Sequence, residues 1–426
     1  MSEIIGRPPT VTLVDTARIQ RRTVSLLFVT QVVGGVGVAI GISVGALLAA
    51  VMGGTGISGL ASSAPVVGGA LVAVPATRLI RRRGRRPGLV FGYACGALGA
   101  LIVVVAAVAG SLPLLFAGLA LFGGGTAANL QARYAAVDLA DDARRGRQLS
   151  LVVWATTIGA VAGPNLAPLA DGYAHRAGLP GYSGPFAFSA LAFLVAGLVL
   201  AGGLRPDPLL VARGAGAATS PVPSAGLREA ARAVRANPAA RLGMSAVAVG
   251  HVVMVGVMSM TPVHIGDYEH GDVLRVVGVV LSLHIAGMYA LSPVVGWLAD
   301  RLGRRAVILG ALATLLAACA VAGTAGHHTP RLSVGLALLG LGWSGTMVAG
   351  STLLSESVGT VIRPAAQGLC DVVMGLAGAL AGALSGLIVS WSGYPTLTLL
   401  AAIATVPLVA LALRSVVSSP ARGAGR

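Results

Sequence analysis

Residues 296–305 read GWLADRLGRR, and residues 81–86 read RRRGRR, with Gly84 standing 219 positions before Gly303. The same offset pairs Leu79 with Leu298, Gly123 with Gly342, Gln148 with Gln367, Gly159 with Gly378 and Gly163 with Gly382. One register that holds across several apolar segments makes the chain two copies of one unit. Internal repeats in a chain of many apolar segments point to a membrane carrier whose halves move against each other.

The 426 residues are 55% hydrophobic and 10% charged, with a mean hydropathy of +0.86. Twelve apolar runs are long enough to cross a bilayer core of roughly 30 Å, the first beginning near Val24 and the last near Thr396. In lipid each run is expected to be helical, because its backbone polar groups must be satisfied within the segment. All 30 basic residues are arginine. An N-terminus in the cytoplasm puts every one of them on the cytoplasmic side except Arg176, Arg275 and Arg331, as the positive-inside rule requires. The net charge of +16 is then a topology signal and a contact for anionic lipid headgroups, and no basic soluble domain exists to bind nucleic acid. No small-residue cleavage site follows the first run, so no removable signal peptide is expected. Cys95, Cys319 and Cys370 fall inside apolar runs and read as small buried residues, with no zinc or disulfide spacing. The expected fold is an all-α integral membrane protein with 12 transmembrane helices in two pseudo-symmetric six-helix bundles, residues 1–204 and 242–426. Residues 205–241, rich in Pro, Gly, Ala and Arg, form the expected cytoplasmic linker, and residues 225–236 in it suit a short amphipathic helix.

The stretch 296–305 resembles the GxxxDRxGRR signature of the major facilitator superfamily at every defined position: Gly296, Asp300, Arg301, Gly303, Arg304 and Arg305. The first-half copy keeps Arg82, Gly84, Arg85 and Arg86 but has Thr77 and Arg81 where Gly and Asp are expected. By resemblance the acidic residue latches the cytoplasmic side by docking on the opposite half, and a cation at a helix N-terminus faces the wrong end of the dipole. The latch is therefore expected to rest on Asp300, with a partner near Gln148 and Ser150 at the start of the fifth span. Gly159, Gly163 and Pro164, in GAVAGP, resemble the core of an antiporter motif of the same superfamily, although Ala167 and Pro168 replace the glycines that usually follow. Small-xxx-small spacing also serves ordinary helix packing. The glycine run 34–41 lies in an apolar span and lacks the preceding strand that a dinucleotide fingerprint needs.

Polar residues inside a membrane are expensive and mark partners or wet cavities. In the superfamily that the motifs resemble, spans one, four, seven and ten line the central cavity, which makes Gln31, Asn129, His251 and Trp343 substrate-cavity candidates, with Phe122, Met254 and Met258 beside them. Four residues are candidates for proton coupling. Asp371 lies about two turns into span eleven, and its offset mate is Val152. His251 and His284 are imidazoles near the middle of their spans. Arg133 resembles the arginine of proton-coupled members, and Asp138, Asp141 and Asp142 are its expected ion-pair partners. His264, Asp267, Glu269, His270 and Asp272 crowd one short loop and are read as solvated rather than metal-binding. No nucleophile with a base, catalytic carboxylate pair, cofactor motif or P-loop is present. The expectation is proton-coupled export of a small amphipathic molecule by a monomeric carrier of a bacterial inner membrane. A metabolite importer and a non-transporting sensor on the same scaffold are the alternatives.

Overall fold

The computed structural model describes residues 13–140, 145–214, 226–359 and 361–417. The first bundle contains α1 (Leu13–Gly53), α2 (Thr55–Arg83), α3 (Arg85–Ala109), α4 (Leu112–Ala135), α5 (Arg145–Arg176) and α6 (Gly184–Gly203). Two short helices follow, α7 (Pro208–Gly214) and α8 (Leu227–Ala236). The second bundle contains α9 (Pro238–Tyr268), α10 (Val273–Tyr289), α11 (Ser292–Leu302), α12 (Arg304–Gly323), α13 (Thr329–Ser357), α14 (Arg363–Ile403) and α15 (Val406–Val417). Among the described residues there is no strand. Ten helical stretches are long and apolar enough to cross a bilayer. Adding α5 and dividing α14 at Gly393 gives twelve spans.

Local chemistry places the breaks. Gly393 has φ 78°, a left-handed conformation that glycine adopts without a Cβ penalty, and it separates spans eleven and twelve. Span eight is cut into α10 and α11 because Pro293 lacks an N–H and cannot continue a helix, yet suits the first turn of a new one. Gly84 (φ 96°) and Gly303 (φ 89°) make the same turn between two helices in each half, so the repeat extends to backbone conformation.

The core of the first bundle is aromatic, with Phe122 edge-on to Phe186 at 5.7 Å and 5.3 Å from Phe193. Gly41 makes this possible, since a Cβ there would stand 2.5 Å from the Phe122 ring. Large side chains such as Leu71, Leu198, Leu376 and Trp391 point outward and suit lipid.

The bundles meet most closely at the end remote from the motif arginines. A Cβ on Gly59 of α2 would lie 2.3 Å from the carbonyl of Gly382 and 2.6 Å from the amide of Gly386, both on α14. Ser63 Oγ donates to the Ala379 carbonyl at 2.5 Å, and Asn165 Nδ2 donates to Ser282 Oγ at 2.6 Å. Pro164 abuts Gly278 across the same divide. Small residues let two backbones touch, and hydroxyls and amides then find partners across the seam.

Candidate functional site

Between the bundles lies a chamber of ≈ 340 Å³ with walls from both halves. Val38 and Ile42 of α1, Met254 and Met258 of α9, and Ile285 and Met288 of α10 make most of it apolar, while Asn129, Thr156, His251, Tyr289 and the serines Ser43, Ser62 and Ser259 are its polar points. A smaller pocket of ≈ 170 Å³ adjoins it through shared walls at Asn129, Thr156, Ala160 and Tyr289. Gln31, Leu130, Arg133 and Thr157 complete that pocket.

The polar wall is held rigidly. Gln31, 1% exposed, donates from Nε2 to the Asn129 carbonyl at 3.1 Å and to Thr156 Oγ1 at 3.2 Å, joining α1 to α4 and α5. Its Oε1 has no partner among the described residues. Tyr93 of α3 donates to Asn129 Oδ1 at 2.7 Å. Gly34 leaves room for that phenol, because a Cβ there would come within 2.6 Å of the Tyr93 oxygen. A buried amide without partners would cost several kcal/mol, about 2 to 7 depending on the reference state, so these bonds fix the wall as well as decorate it.

His251 stands in the chamber wall, and the Trp343 indole donates to its Nδ1 at 3.1 Å. An acceptor nitrogen carries no proton, so this bond sets the neutral tautomer with the proton on Nε2. Gly378 of α14 makes space for the ring, since a Cβ would lie 2.8 Å from Nε2. Trp343 packs behind the imidazole with its ring 6.0 Å from that of Tyr289, and it is not itself part of the lining.

Arg133 reaches the smaller pocket from α4. Its Nε makes a 3.4 Å contact with the Leu130 carbonyl of its own helix, and among the described residues no carboxylate pairs with it. The expected partner Asp138 is taken by Arg85, which holds it with two bonds of 2.8 and 2.9 Å. Asp141 and Asp142 lie outside the described residues. Asp371 on α14 is exposed and interacts electrostatically with Arg133 from the opposite bundle.

The other candidates are dispersed. His284 is wholly buried, with Nδ1 bonded to the Leu336 carbonyl at 2.9 Å, and ties α10 to α13 outside the chamber. Phe122 belongs to the aromatic core of the first bundle. Gly159 and Gly163 seat α5 against α1, with Val32 and Ile40 backbone atoms 2.5 and 2.8 Å from where a Cβ would be, and Pro164 lines the chamber. In the motif loop Asp300 pairs with Arg304 at 2.8 Å, and Arg304 also binds Glu356 at 2.9 Å. Gln20 of α1 donates to Gln148, the residue near which Asp300 was expected to dock; Ser150 has no described side chain. Arg301 lies over the Trp297 ring at 4.7 Å. His264 stacks on Tyr394 at 4.4 Å, and no metal-binding group of three ligands exists among the described residues.

Three functional-looking residues had no clear signal in the sequence. Tyr289 enters both pockets because the Pro293 break ends α10 at that position. Tyr93 read as one more aromatic in an apolar run. Asp207, just beyond α6, accepts from the Arg86 amide at 2.8 Å and from Leu209 at 3.1 Å, and its carboxylate covers Gly84. The linker thus puts an acid beside the first-half loop that lacks its own.

Comparison with known proteins agrees with this architecture. The chain is 41% identical over 391 residues to the uncharacterized MFS-type transporter YdeG of Bacillus subtilis (strain 168), covering 91% of this chain and 90% of that protein. It is 26% identical over 401 residues to the riboflavin transporter RfnT of Brucella anthropi, covering 92% and 94%. The fold matches a bacterial homologue of the human lysosomal transporter Spinster, solved in an inward-facing and occupied conformation, with a TM-score of 0.70 at 12% identity over 97% and 98% of the two chains. The family model of the Major Facilitator Superfamily matches residues 25–276 and again 272–425, which together cover nearly the whole chain. Two six-helix bundles around a shared cavity, with one signature loop in each, therefore have a common origin with known carriers, and the chain belongs to the Major Facilitator Superfamily.

Proposed function

We propose that this protein is a proton-coupled exporter of small amphipathic molecules, working by alternating access as a monomer in a bacterial plasma membrane. The observation that carries the reading is the chamber between the bundles. Its walls are mostly apolar side chains from both halves, with one amide, scattered hydroxyls and one imidazole among them. Such a lining suits an amphipathic ligand better than a sugar, which needs many hydrogen-bonding partners. Similarity to a riboflavin transporter over almost the whole chain supports a small organic cargo.

With the arginine-rich end in the cytoplasm, the glycine seam closes the outside, and the 73% exposure of the Asp300 carboxylate supports a state open to the inside. Two groups are suited to carry the proton. Asp371 is a carboxylate at the divide with Arg133 within electrostatic reach. His251 has an Nδ1 whose protonation would set two donors against each other and expel the Trp343 indole. The resemblance of Gly159, Gly163 and Pro164 to an antiporter motif favours exchange over symport.

The test is flux in proteoliposomes. An imposed proton gradient is expected to drive accumulation of an amphipathic fluorescent probe, with loss of the signal on adding a protonophore. Binding without flux in either direction would identify a sensor instead.

A further inference from the structure

Arg133 is the one guanidinium, and the one fixed charge, among the residues that line the two joined pockets. Guanidinium has five N–H donors in a planar fork. One makes the 3.4 Å contact with the Leu130 carbonyl, and the others have no acceptor among the described residues. A guanidinium within a membrane-spanning helix that no carboxylate holds by hydrogen bonds is costly and persists where a partner arrives or water reaches it. Gln31, Asn129, Thr156, Thr157 and Tyr289 surround it with neutral polar groups, and no carboxylate lines either pocket. The lining therefore offers a ligand a cation at one end, although Asp371 of α14 interacts electrostatically with it, and the adjoining chamber is mostly apolar.

We propose that the cargo is an amphipathic monoanion, whose carboxylate is held by the fork of Arg133 in the smaller pocket while its apolar body fills the methionine-lined chamber. This deepens the exporter reading and rests on it only for the cargo's passage, not for its binding. Geometry fixes the polarity of the bound molecule. The anionic end sits toward the arginine-rich mouth, because Arg133 is four residues, about one turn, beyond Asn129 on a helix that runs toward that mouth. The body points to Met254 and Met258, deeper between the bundles.

The experiment uses the full-length purified protein and two probes with the same ring system, naphthylacetate and its neutral amide. Both are titrated by quenching of tryptophan fluorescence at a pH that keeps the acid ionised. The carboxylate is expected to bind about tenfold to hundredfold more tightly than the amide, the range that charge-assisted hydrogen bonds supply. Arg133→Gln is expected to abolish that preference while amide binding persists, and Arg133→Lys to keep a smaller preference because a point charge lacks the fork. Equal binding of the two probes to the wild-type protein overturns the proposal without use of any variant. Absence of binding by either probe, or an undiminished preference in Arg133→Gln, overturns it as well. An anion preference that holds while proteoliposomes show no flux would overturn the exporter reading and leave this one standing.

Discussion

At the scale of single residues, the two proton-carrier candidates predict different phenotypes. His251→Gln keeps a hydrogen-bonding group at the chamber wall but cannot titrate, so transport is expected to lose its dependence on pH while probe binding survives. A pH profile of flux identical to that of the wild type would exclude the imidazole as carrier. Asp371→Asn is expected to abolish gradient-driven accumulation and to preserve downhill exchange; a proportional fall in both, with a lower melting temperature, would make Asp371 a structural carboxylate. Residues of this kind were partly legible in the sequence. Gln31, Asn129, His251, Met254 and Met258 line the pockets because rare polar or flexible side chains on cavity-facing spans have few other uses. Phe122 and His284 were not legible, because an aromatic or imidazole that faces a neighbouring helix reads the same in one dimension as one that faces a cavity.

At the scale of elements, the loops between α2 and α3 and between α11 and α12 show how a repeat diverges. Arg85 and Arg304 are offset mates, and each holds an acid from the end of a distant helix, Asp138 in α4's trailing turn and Glu356 near the end of α13. The first loop lacks its own acid, and Asp207 caps the amide of Arg86 from outside. Asp207→Ala should cost about 0.5 to 2 kcal/mol, the usual worth of a helix cap. Thermal unfolding would measure it, and an unchanged melting temperature would show that the carboxylate contributes no stability. The linker also organises the second bundle. Ala230 and Val234 of α8 are buried in a cluster with Leu354, Ala366 and Cys370, as the amphipathic pattern of residues 225–236 suggested, and Asn237 caps α9 through Ala239 at 2.9 Å. The existence of α8 was legible because arginine and alanine alternate with helical period. The role of Asp207 was not, because nothing along the chain says that a loop after α6 returns to the loop after α2.

At the scale of the whole molecule, twelve spans and two halves followed from hydropathy and one repeated register, since a bilayer allows few folds. How closely the halves approach was hidden, because a glycine in a membrane helix has many possible neighbours. Gly59→Ala would place a methyl against the Gly382 carbonyl and should disfavour the state described here by about 1 to 3 kcal/mol, as overpacking does. The state in which the bundles part at that seam is spared. Cysteine accessibility from the two sides should therefore shift toward opening at the end remote from the arginines, and an unchanged pattern would mean that the seam yields without cost. The opposite shift is expected from Asp300→Asn, by removal of a latch that acts only when the arginine-rich end closes, with little effect of Arg81→Ala; equal effects would refute an asymmetric latch. Asp207 adds a constraint of a different kind. One lip of the mouth is clasped by the chain segment that leaves the first bundle, whereas at the other lip the loop's own Asp300 and Glu356 hold Arg304. A circularly permuted chain that begins with the second bundle and ends with the first would keep every span and both signature loops, but its first-half loop would keep a carboxylate only if the new C-terminus lay beyond Asp207.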